Sequence, residues 1–140
     1  MANEFARNIQ DASLNPATFT LPSALSLSTT SAVIDLGADT VKPEALEIEL
    51  SVPALTSTMN PSAATGGVTY IIESSTTSAF SAVSRTIVSK NIAGSTSATP
   101  LTALRTRVPS DCERYVRGKI TFAATTADAS TLAATVTARF

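Results

Sequence analysis

Glu47 and Glu49 are the residues whose type and spacing come closest to a reaction centre. Two positions apart on an extended strand, they share one face and stand roughly 7 Å from each other. That separation overlaps the distance between the acid and base carboxyls of inverting glycosidases. A general acid also needs a desolvated pocket to hold its proton. Sugar sites want aromatic platforms as well, and only Tyr70 and Tyr115 are on offer. The competing reading is a polar strand face turned to solvent. Asp35, Asp39 and Glu44 flank a turn and offer oxygen ligands to Ca²⁺, but without the spacing of an EF-hand. Carboxylates that cap backbone amides in a turn account for them as well.

Other chemistries are excluded by composition. The chain has no histidine, so neither Ser/His nor Cys/His nucleophile pairs can be built. No lysine follows a serine at the spacing of a Ser-x-x-Lys dyad. With one thiol and no imidazole, zinc has no ligand set. Gly66-Gly67 reads as a turn rather than a phosphate loop, and no cofactor is expected. Cys112 has no second cysteine to bond within the chain, which suits a buried thiol in a reducing compartment.

Net charge is −1 with a pI near 5.3, without the basic footprint that nucleic acid calls for. The cations do gather late: Arg105, Arg107, Arg114, Arg117 and Lys119 fall within fifteen residues. Arg105 and Arg107 would share one strand face. That face is either solvated and paired with acids or a stripe able to take phosphate. No apolar run approaches a membrane span. Met1–Gln10 carries Glu4 and Arg7 and no apolar core, so no signal peptide is expected. The expectation is a protein made in a cytoplasm, with neither membrane nor nucleic acid as partner.

The elements that must position these residues are strands. Serine and threonine make up 40 of the 140 residues and alternate with aliphatics at period two. Leu46, Ile48, Leu50 and Val52 alternate with Glu47, Glu49 and Ser51; Val116, Gly118, Ile120 and Phe122 alternate with Arg117, Lys119 and Thr121. Strands are expected at about 32–36, 45–52, 68–74, 85–90, 101–108, 115–125 and 131–140, with turn residues between them. Long connections at 53–67 and 75–84 imply crossovers between two sheets. The fold expected is an all-β, antiparallel, jelly-roll-like (Greek-key) sandwich over residues 31–140.

Residues 1–30 read as a separate arm. A short helix is expected over 2–14, ended by Pro16, followed by an extended stretch at 18–27 that adds an eighth strand to the seven. Its apolar residues need a cover. Phe5, Ile9, Phe19 and Leu21 either anchor on a neighbouring subunit or pack on their own sheet.

SAVIDLGAD (31–39), RYVRGKITF (114–122) and TLAATVTARF (131–140) resemble the small jelly-roll cement (decoration) proteins of tailed bacteriophages, particularly those of podovirus-like particles. The likeness covers most of residues 31–140 and leaves the arm unmatched. It implies a non-enzymatic protein on the outer surface of the virion, made in the host bacterium. It further implies major capsid protein as partner, self-association as a homodimer or homotrimer, and no cofactor. Phe5, Ile9, Phe19, Leu21, Arg105 and Arg107 are then the residues expected at the capsid or subunit interface. A receptor- or carbohydrate-binding jelly roll of a phage fibre is the alternative.

Overall fold

The computed structural model describes residues 16–23, 26–37, 46–60, 67–82, 85–95, 97–123 and 128–139. Nine strands lie among them: β1 (Ala17–Thr20), β2 (Ser28–Thr30), β3 (Ile34–Asp35), β4 (Glu47–Val52), β5 (Val68–Ser75), β6 (Arg85–Ile92), β7 (Thr102–Arg107), β8 (Tyr115–Phe122) and β9 (Ala133–Arg139). No helix occurs among the described residues. The expected antiparallel β-sandwich is what forms.

The first sheet runs β1-β9-β4-β7 and the second β2-β8-β5-β6, with β3 also on β8. β2 and β3 are one edge strand interrupted at Ser31. There the Ser31 amide donates to the Gly118 carbonyl, and the Ser31 hydroxyl accepts from the Gly118 amide. Counted so, the antiparallel pairs are nested: β1 with β9, β2/β3 with β8, β4 with β7, β5 with β6.

Alternation decides what is buried. Ile48, Leu50 and Val52 of β4, with Ala134 and Val136 of β9, turn inward from the first sheet. Val68, Tyr70 and Ile72 of β5, with Val116, Ile120 and Phe122 of β8, turn inward from the second. With aliphatics this small, the sheets approach closely. A Cβ on Gly118 would stand 2.5 Å from Val136 Cγ2 and 3.3 Å from Leu50 Cδ1, so glycine is required by lack of space. Gly67 opens β5 at φ +86°, and a Cβ there would collide with the Ile92 carbonyl oxygen.

Two strands of the sandwich come from within the first 30 residues. β1 pairs with β9 through Ala17↔Val136 and Phe19↔Ala134, and β2 pairs with β8 through Thr29↔Ile120. β1 and β2 therefore each supply an edge, one to each sheet. Between β1 and β2 the chain passes from one sheet to the other, with the Leu21 amide donating to the Leu132 carbonyl and the Phe122 amide to the Leu27 carbonyl. The helix expected at 2–14 lies outside the described residues.

Candidate interaction surfaces

The outer face of the first sheet is built by the residues alternating with the core. β4 contributes Glu47, Glu49 and Ser51. In register beside them stand Arg107, Arg105 and Ala103 of β7, then Arg139, Thr137 and Thr135 of β9. Thr18 and Thr20 of β1 extend the face to its edge. Arg105 Nε donates to Glu47 Oε2 at 2.5 Å, Arg107 Nε lies 3.6 Å from Glu47 Oε1, and Arg139 donates to Glu49 Oε1 at 3.1 Å. The three arginine side chains are 56%, 78% and 51% exposed, so each pair contributes about 0–1 kcal/mol to stability. These arginines do little to hold the fold, and their guanidinium groups face outward.

Arg105 and Arg107 thus come together on one open face, as their spacing requires. They do so around Glu47, which gives the acid-paired arrangement rather than a bare cationic stripe. Glu47 and Glu49 do share a face. Both oxygens of Glu47, however, face arginines of β7, while Glu49 Oε1 pairs with Arg139 of β9 on the other side.

Phe19 and Leu21 are corrected. Both were candidates for contact with a neighbouring subunit; Phe19 is 9% exposed and Leu21 1%, inside this chain's own core. Pairing of β1 with β9 turns Phe19 to the inner face beside Ala134, which leaves it nothing to offer a neighbour. Phe5 and Ile9 lie outside the described residues, as do Asp39 and Glu44. Asp35 caps its turn, accepting from the Gly37 amide, and also binds Arg114 in a two-pronged pair at 2.8 and 2.7 Å. That pairing raises the Arg114 guanidinium further above its ordinary value. Cys112 is buried.

The outer face of the second sheet carries what the alternation pattern missed. At one end a row of hydroxyls and an amide crosses the sheet: Ser28 and Thr121 are hydrogen-bonded at 3.2 Å, and Asn91 Nδ2 donates to Thr69 Oγ1 at 3.0 Å. At the other end, a register shift between Ile72 and Glu73 precedes a charged pair. Arg117 donates through Nε and Nη2 to Glu73 Oε1, each at 2.7 Å, with side chains only 18% and 4% exposed. Phe80, from the connection after β5, closes over this pair with its ring centroid 4.0 Å from the Arg117 guanidinium carbon.

That connection is a strap over residues 76–82. Ser75 ties both its ends, accepting from the Thr77 amide and donating to the Ala82 carbonyl. Within the strap Phe80 alone is buried. Its backbone sits at φ +49°, a left-handed conformation that costs a bulky residue about 1–2 kcal/mol. Burying the ring returns about 1.5–3 kcal/mol and the cation–π contact about 0.5–2, so the strap is held by a small net margin. The clue in the sequence is one large apolar residue within Ser74–Ser84, a hydroxyl-rich run otherwise read as a loop.

Among the described residues no helix is long and apolar enough to cross a membrane. No protein-family model matches the chain, and no curated protein matches it in sequence.

Proposed function

We propose that this chain is a structural component of a tailed-bacteriophage virion that binds the outer surface of the assembled capsid and cements joints between major capsid protein subunits. The observation that carries the reading is the outer face of the first sheet. It carries threonines and exposed arginines, and the ion pairs of those arginines contribute little to the stability of their own domain. A fold on its own does not assign a function. Here the nested pairing of first strand with last, second with next to last and so inward is read as a jelly roll. That is the fold the resemblance implies. The segments carrying the resemblance also meet: Ile34 of the first stands opposite Val116 of the second.

The physics suits cementing. A shell presents many equivalent sites, so each copy needs modest affinity when it spans two subunits or acts as a homodimer or homotrimer, because a second contact then becomes intramolecular. Hydroxyls and paired charges form the wet, satisfied contacts of an interface rim. With Phe19 and Leu21 committed to the core, Arg105 and Arg107 are the residues proposed to meet the capsid. Incubating purified protein with cement-free shells and sedimenting the shells tests the reading. Saturable co-sedimentation supports it; protein left in the supernatant while a control cement binds overturns it.

A further inference from the structure

We propose that the strap over residues 76–82 is a latch that opens as a unit while the sandwich stays folded, with the Glu73–Arg117 pair as its catch. Four observations converge on one point of the second sheet's outer face. Phe80 is the strap's single buried side chain, and it rests on Arg117 rather than on the apolar core. Its φ of +49° holds the strap in a conformation it would leave on release. Arg117 is oriented for the ring by two bonds to one carboxylate oxygen of Glu73. The strap's ends turn about a single hydroxyl, Ser75, so that one hinge serves both. Everything else in the strap is exposed.

A segment that buries one side chain among its described residues opens locally at far lower cost than the sheet beneath it. Opening turns a covered ion pair into an exposed guanidinium and carboxylate standing side by side on the sheet. The sandwich therefore presents two different outer faces depending on one aromatic contact. The catch is also distant in sequence: Arg117 lies on β8, thirty-seven positions from Phe80. This distance helps the test, because Arg117 touches the strap through the Phe80 ring and otherwise bears on β5, through Glu73, whose own amides report that second route.

Hydrogen exchange resolved by residue tests it in the wild type, Phe80→Ala and Arg117→Lys. Lysine keeps the charge but loses the planar group on which the ring stacks. The expected result is exchange of the Phe80 amide in Arg117→Lys, and of the strap's amides in Phe80→Ala, about tenfold or more faster than in the wild type. Exchange of the Ile120 and Tyr70 amides would be unchanged in both. A strap that exchanges only at the rate of those sheet amides overturns the proposal. So does Arg117→Lys leaving the Phe80 amide as protected as before. Should Phe80→Ala fail to fold, Arg117→Lys decides alone.

Discussion

Gly118 of β8 and Val136 of β9 meet across the sandwich so closely that a Cβ on the glycine would stand 2.5 Å from Val136 Cγ2. The two residues belong to opposite sheets, so this contact sets the spacing between sheets at mid-core. Gly118→Ala should cost about 1–3 kcal/mol, the usual range for overpacking. Val136→Ala in the same chain should recover part of that loss. Urea unfolding of the two single variants and the double variant measures the coupling; strictly additive losses would show that the methyls do not compete for this space.

Two of the arginine–carboxylate pairs on the second sheet, Arg117 with Glu73 and Arg114 with Asp35, should differ sharply in weight. Arg117→Ala leaves Glu73, with a side chain 4% exposed, charged and without its partner, a loss of about 3 kcal/mol or more. Arg114→Ala breaks a better-forked but solvated pair with Asp35 and should cost far less. Unfolding midpoints at constant slope separate the two. Equal small losses would mean that burial of Glu73 is not maintained in solution.

Tyr70 gives a pH signature at the alkaline end. Burial pushes its phenol from 10.0 up to about 12. Between those values the unfolded chain has released a proton that the folded chain still holds, so stability falls as pH rises. The slope from this group approaches about 1.4 kcal/mol per pH unit across that window and vanishes below it. Tyr70→Phe should flatten this limb relative to the wild type. Identical stability–pH curves for the two proteins from pH 10 to 12 would contradict the shift.

Arg105→Ala with Arg107→Ala should leave the fold within about 1–2 kcal/mol of the wild type, since both side chains lie on solvated pairs. The same double variant should lose most of its binding to shells. Thermal melts and shell co-sedimentation together check this. Loss of binding without loss of stability is the expected outcome; retained binding would place the interface elsewhere.

Alternation alone locates β4, β5, β8 and β9 to within two residues of where each begins, because their inward residues are continuous in parity and their outward ones mostly polar. It likewise places Glu47, Glu49, Arg105 and Arg107 on their shared face. It fails where burial is not apolar. At Glu73 a register shift and the Phe80 ring together cover a carboxylate, so parity no longer reports burial. At Ser31 side-chain and backbone bonds to Gly118 replace an apolar anchor, and β2 has no hydrophobic phase to read. Phe19 and Leu21 had the right parity for a strand. What their local sequence lacks is any sign that the partner strand would be β9, more than a hundred residues along the chain.

The most direct measurement of the central claim is a cryo-EM map of cement-free shells incubated with the purified protein. The account predicts added density over joints between major capsid protein subunits, oriented with the face carrying Glu47, Arg105 and Arg107 against the shell. Shells that stay bare while a control cement decorates them fully, or density with that face turned outward to solvent, would contradict it.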